Sequence, residues 1–123
     1  MRIFKTRTFA RSIRKEAISD EDLRIAVMRA MAGGIDANLG GGLVKQRIAR
    51  AGGGKSGGYQ TFIAYHPRSR AVYLFHFAKS DRDNVAADAL RALKAAAGEV
   101  LNFTEFQIAR ALRDGDLLEI ENE

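Results

Sequence analysis

The side chains here that can do chemistry are mostly cations. Between Val44 and Arg82 stand Lys45, Arg47, Arg50, Lys55, Arg68, Arg70, Lys79 and Arg82 against a single acid, Asp81. Interleaved with them are two aromatic, strand-like runs, Tyr59-Gln60-Thr61-Phe62-Ile63-Ala64-Tyr65 and Val72-Tyr73-Leu74-Phe75-His76-Phe77. Positive charge spread over a small sheet attracts a polyanion, and phosphate is the commonest polyanion in a cell, so the pattern points to RNA or DNA. Lys45 and Arg47 are two apart in a strand pattern and therefore share a face. Cations gathered at a phosphate can position it and offset the charge that develops as it reacts.

Other chemistries find less support in the residue types. His76 has an intrinsic pKa near neutrality and is a conceivable general base. It lies inside an apolar strand, however, where a hydrogen-bonded structural role is the expectation. His66, before Pro67 in a turn, is expected to face solvent. With two histidines and no cysteine, no metal cluster, thiolate site or disulfide is expected, and no carboxylate pair or Ser-His-Asp set stands out. The stretch Ala49-Arg50-Ala51-Gly52-Gly53-Gly54-Lys55-Ser56 matches a permissive phosphate-loop pattern with alanine for the first glycine. A true phosphate loop opens a helix. Here Gly57-Gly58-Tyr59-Gln60-Thr61-Phe62 follows, a poor helix start and a good strand. The expectation is a mobile hairpin loop whose cation, Lys55, can close over a bound nucleic acid.

These side chains need a scaffold, and the pattern supplies one. Residues 2–6 read as a short strand, and Phe9 and Ile13 as one side of a short helix. Ser19-Asp20-Glu21-Asp22 opens a second helix, with Ser19 as N-cap and acids in its first turn. Leu23, Ala26, Val27, Ala30 and Met31 follow its inner face, and Gly33-Gly34 ends it. Residues 33–42 read as a loop, and Leu43 to Arg50 as a strand. Tyr59–His66 and Ala71–Ala78 read as strands covered on both faces, joined through Pro67-Arg68-Ser69-Arg70. With that turn centred on Arg68-Ser69, Gln60, Phe62, Tyr73, Phe75 and Phe77 share one face, and Thr61, Ile63, Leu74 and His76 the other. Asp83 or Asn84 is expected to cap a third helix with Leu90, Leu93, Ala97, Val100 and Leu101 on its buried stripe. Thr104-Glu105-Phe106-Gln107 fits a capping box for a fourth, packed by Phe106, Ala109 and Leu112 and ended by Gly115. Leu117 to Ile120 reads as an edge strand.

The implied class is α+β: an antiparallel sheet packed against two N-terminal helices and C-terminal helices, with the helices on one face. A chain of 123 residues is expected to form one domain, 1–123. Charge is uneven along it. Residues 1–15 hold Arg2, Lys5, Arg7, Arg11, Arg14 and Lys15 and no acid, whereas 103–123 form an acidic C-terminal extension. No apolar run has membrane-spanning length and the N-terminus lacks a signal-peptide core, so a cytoplasmic location is expected.

Element order and motifs together resemble the RelE/HigB/ParE superfamily of type II toxin-antitoxin toxins, nearest to HigB-like and RelE-like members with a C-terminal extension. The resemblance runs through Gly42-Leu43-Val44-Lys45-Gln46-Arg47-Ile48, Gly54-Lys55-Ser56-Gly57-Gly58-Tyr59 and Phe77-Ala78-Lys79-Ser80-Asp81-Arg82-Asp83-Asn84. It implies a RelE-like fold and a ribosome-dependent, metal-independent mRNA endonuclease that inhibits translation, needs no cofactor and is neutralised by a cognate antitoxin. In such enzymes cations hold the phosphate while the RNA's own 2′-hydroxyl attacks. The resemblance assigns catalysis to Arg47, Lys79, Arg82 and Gln60, and RNA contact to Lys45, Arg50, Lys55 and Tyr59. Related members commonly carry arginine where this chain has Gln60, and RelE-type members carry an arginine and a tyrosine where this chain has Ser80 and Ala86. An amide can hydrogen-bond a phosphate but brings no charge. Weaker or differently organised catalysis is therefore expected, with Arg82 as a substitute cation. Two alternatives share the fold: a ParE-like toxin that binds gyrase without nuclease activity, and a catalytically inactive RNA- or partner-binding module.

Overall fold

Six strands form one sheet in the order β2-β3-β4-β5-β1-β6. The computed structural model describes residues 1–49, 58–78 and 84–121. In chain order the elements are β1 (Arg2–Thr6), α1 (Arg7–Ser12) continued by a 3-10 turn (Ile13–Lys15), α2 (Asp20–Met31), β2 (Ala37–Gly40) and β3 (Leu43–Ile48). Then come β4 (Tyr59–His66), β5 (Arg70–Ala78), α3 (Ala87–Leu101), α4 (Glu105–Asp114) and β6 (Leu117–Ile120). Every ladder is antiparallel except β1 with β5. The architecture is α+β, in agreement with the RelE-like fold class expected from the sequence.

Helix boundaries follow local chemistry. The Ser19 hydroxyl accepts from the Asp22 N–H, and the Asp22 carboxylate accepts from the Ser19 N–H. Thr104 and Gln107 repeat the arrangement at α4. Each such cap stabilises by about 1 kcal/mol. Gly115 ends α4 at φ 78°, a left-handed conformation that costs glycine little. Helix α3 departs from the expectation: its N-cap is Ala86, with no side-chain hydrogen bond, rather than Asn84.

The helices lie on both faces of the sheet, not one. Phe9, Ile13, Leu23, Ala26, Val27 and Ala30 from α1, the 3-10 turn and α2 pack on Ile3, Val44, Ile48, Tyr59, Ile63 and Tyr73. Ala97, Val100, Ile108 and Ala111 from α3 and α4 pack on Phe4, Leu43, Phe62, Ala64, Val72 and Phe77. A central strand that is apolar at nearly every position needs a cover on each side, which one helical layer cannot supply. On α4 the buried positions are Ile108 and Ala111, while Phe106 is 71% exposed. On α2, Met31 is exposed although Leu23, Ala26, Val27 and Ala30 are buried.

Two further departures concern the sheet. Ala37–Gly40, expected as loop, is the edge strand β2. The β4–β5 hairpin turns on three residues, Pro67-Arg68-Ser69, opening at His66↔Arg70 with Arg68 at φ 68°. A bulge then leaves Leu74 unpaired between Ile63↔Tyr73 and Phe62↔Phe75. Beyond it, Gln60 faces Phe77, as expected. Before it the faces differ from expectation: Tyr73 packs with the α2 side and Leu74 with the α3 side.

Candidate nucleic-acid interface

Strand β3 carries its cations on the α3 side of the sheet. Val44, Gln46 and Ile48 are buried, while Lys45 is half-buried and Arg47 exposed. Leu43 on the same face is covered by the α3 layer, so that layer shields the start of the strand and leaves its end open. Two rows cross the sheet there. Lys45 pairs with Phe62, which pairs with Phe75; Arg47 pairs with Gln60, which pairs with Phe77. Directly opposed residues in antiparallel strands have Cβ atoms about 4.5–5.5 Å apart. Lys45, Arg47 and Gln60 are thereby gathered on one patch. Its floor is aromatic: Phe62 lies 5.9 Å from both Phe75 and Phe77 between ring centroids.

The next row, Ile48↔Tyr59↔Ala78, ends the three strands together. Of the other expected site residues, Arg50, Lys55, Lys79 and Arg82 lie outside the described residues, as do Ser80 and all of the phosphate-loop-like stretch after Ala49. Tyr59 is not brought to the patch. It is 1% exposed, sits in the α2-side core, and donates its hydroxyl to Glu16 Oε2 at 2.7 Å. A buried ring offers no face to a base.

His76 is also on the α2 side, opposite Thr61. Its Nδ1 is 3.1 Å from the Ser12 hydroxyl, and its ring meets Phe9 edge-on at 5.6 Å. Burial lowers its pKa and the nearby Glu16 carboxylate partly offsets that. Hydrogen-bonded and half-buried, it has the structural role expected for it. His66 is exposed, as expected.

Three residues that the sequence left unremarked organise this region. Arg29 Nη1 donates to Asp36 Oδ1 at 2.9 Å and to Gly34 O at 3.1 Å. Its Nη2 donates to Arg47 O at 2.7 Å. Asp36 Oδ2 accepts the Arg47 N–H at 2.7 Å. Burial pushes the Asp36 carboxyl up, but the bonds from Arg29 and the Arg47 amide outweigh it, and the group lies below its ordinary value. Gln46, fully buried, accepts the Asp36 N–H at 2.7 Å and donates to Ala26 O at 3.0 Å. No spacing rule marks these residues, because their contacts cross between a helix, a loop and a strand. Arg70 also differs from the solvated charge that its turn position suggests. It is 8% exposed and donates to Val100 O, Phe103 O and Glu105.

Electrostatics separate this patch from a hollow lined by the C-terminal helices. A cavity of about 490 Å³ opens between α3, α4 and the sheet. Its charged lining is Glu99, Asp114 and Asp116 against Arg110, the wrong balance for a phosphate. A separate cleft of about 360 Å³ lies on the α2 side at the end of β3, lined by Asp22, Arg29 and Arg47 with Ile25, Ala26, Ile48 and Ala49, and it takes in neither Lys45 nor Gln60. Among the described residues no group of three or more His, Cys, Asp or Glu side chains can hold a metal ion, and no helix is long and apolar enough to cross a membrane.

The family model of the RelE toxin of the RelE/RelB toxin-antitoxin system matches residues 1–120. No curated protein matches the chain. That match takes in every strand and helix described above, from β1 to β6, and the chain therefore belongs to the RelE toxin family.

Proposed function

We propose that this RelE-family toxin is a ribosome-dependent, metal-independent mRNA endonuclease that inhibits translation in the cytoplasm and is neutralised by a cognate antitoxin. The observation that carries the reading is the row Arg47↔Gln60 with Lys45 on the same open face. A guanidinium and an amide side by side can bind two oxygens of one phosphodiester, and the flanking ammonium adds long-range attraction. Held there, the RNA 2′-hydroxyl attacks the adjacent phosphorus and its bond to the 5′-oxygen breaks. The hydroxyl proton leaves and the departing oxygen gains one, so the products are a 2′,3′-cyclic phosphate and a 5′-hydroxyl. Arg47 offsets the charge that grows on the phosphoryl oxygens, where electrostatic stabilisation is worth most. Lys79 and Arg82 are assigned to the same catalytic group, and Arg50 and Lys55 to RNA contact, on their positions in the sequence next to the ends of β3, β4 and β5.

Expression in growing bacteria, with mRNA 5′ ends mapped minutes after induction, tests the reading. Growth arrest with new ends inside translated frames is expected. Arrest with intact mRNA and accumulated gyrase-cleaved DNA would replace it with the gyrase-binding reading. No arrest at all would replace it with a binding module.

A further inference from the structure

Strand β2 is too short to support all of β3. Its ladder with β3 ends at Ala37↔Lys45, so the Arg47 N–H and C=O on that side have no strand partner. They are not left to water. The Asp36 carboxylate takes the N–H and the Arg29 guanidinium supplies a donor to the C=O, both at 2.7 Å. The ion pair between these two side chains, 2.9 Å, closes the ring. It thus reproduces the donor and acceptor that Ile35 would have offered had β2 run two residues further. The pair is itself anchored at several points. Gln46 holds the Asp36 N–H, and Arg29 also bonds Gly34 O. Gly34 has no room for a side chain: a Cβ there would meet Arg29 Cγ at 2.7 Å and the Arg29 carbonyl oxygen at 2.9 Å.

We propose that Arg29 and Asp36 are positioning residues for the phosphate site, a side-chain clamp that fixes the backbone of Arg47 and so aims its guanidinium beside Gln60. The inference rests on the endonuclease reading for its effect on activity, but the clamp itself is a property of the folded protein. Edge backbone without a partner frays on a short timescale, and an arginine on fraying backbone spends less time in the geometry that phosphoryl chemistry requires.

Two measurements on the full chain test it. The first follows hydrogen exchange of the Arg47 amide in the wild type and in Asp36→Ala, Asp36→Asn and Arg29→Lys, using the Phe62 amide as internal reference. Asp36→Ala is expected to speed Arg47 exchange at least tenfold relative to Phe62. Asp36→Asn, which keeps an acceptor oxygen, is expected to restore part of the protection. Equal protection of Arg47 in all four proteins would overturn the clamp. The second measures single-turnover cleavage of mRNA on programmed ribosomes for Asp36→Asn, alone and combined with Arg47→Ala. A loss of roughly tenfold in the rate with little change in half-saturation, and no further loss on the Arg47→Ala background, is expected of residues that act through Arg47. The same loss on both backgrounds would overturn the assignment. If the wild type cleaves nothing, the endonuclease reading falls while the exchange measurement still decides the clamp.

Discussion

Arg47 and Gln60 are direct partners across the β3–β4 ladder although a glycine-rich stretch separates them in sequence. The pairing sets one charged and one neutral donor side by side on one face of the sheet. On the proposed endonuclease reading, the neutral one is the point at which catalysis can be strengthened.

Gln60→Arg should strengthen cleavage, by roughly tenfold, because a second guanidinium adds charge stabilisation at the phosphate. Two like charges directly opposite should cost the free protein under about 1 kcal/mol. Arg47→Ala should lower the rate by roughly a hundredfold, with stability little changed because the side chain is exposed. Cleavage on programmed ribosomes and urea unfolding check both. An unchanged rate for Arg47→Ala would remove Arg47 from the site.

Tyr59→Phe separates structure from RNA contact. It deletes the hydroxyl that donates to Glu16 and should cost about 1.5–3 kcal/mol of stability, a typical value for a bond to a charged group. Because the ring is buried, RNA affinity should stay within about twofold at fixed salt. A large loss of affinity at unchanged stability would show that Tyr59 reaches RNA after all.

Arg70→Ala should loosen the C-terminal extension. The side chain is buried and satisfies the carbonyls of Val100 and Phe103, at the end of α3, while reaching Glu105 at the start of α4. Removing it leaves those carbonyls short of a partner, at a cost of about 2–4 kcal/mol. Hydrogen exchange should rise first in α4 and β6. A uniform rise across the sheet would contradict the role.

His76 should make stability depend on pH in a defined direction. Burial lowers its pKa from 6.5, Glu16 only partly opposing it. The unfolded chain therefore binds the proton more readily than the native protein. Its contribution is complete above 6.5 and is lost as pH falls through the lower native value. His76→Gln should flatten the unfolding midpoint across that window. A slope that survives the substitution would assign the effect to another group.

Much of the scaffold was legible because it is local. Ser19, Thr104 and Gly115 announced helix ends through bonds made within a few residues, and all three do so in the structure. Strand β2 was not legible. Ala37-Asn38-Leu39-Gly40 has little strand propensity of its own and is extended because β3 pairs with it. The two-layered packing was half legible: continuous apolar strands foretold two covered faces, but which helix covers which face depends on how the chain crosses the sheet. Arg70 shows the same limit, since a cation after a turn looks solvated until α3 ends above it.

For the site, the alternation of β3 determined that Lys45 and Arg47 share a face, because side chains in any strand alternate with a period of two. Composition alone determined that this region is basic. What only the tertiary structure decided is the match of Arg47 to Gln60, thirteen positions on in the sequence, and the Arg29–Asp36 pair that holds the Arg47 backbone. The register of β3 is set by burying Val44, Gln46 and Ile48 beneath α2, and the clamp by where α2 ends against the sheet. Both are long-range consequences of packing, and a local pattern does not encode them.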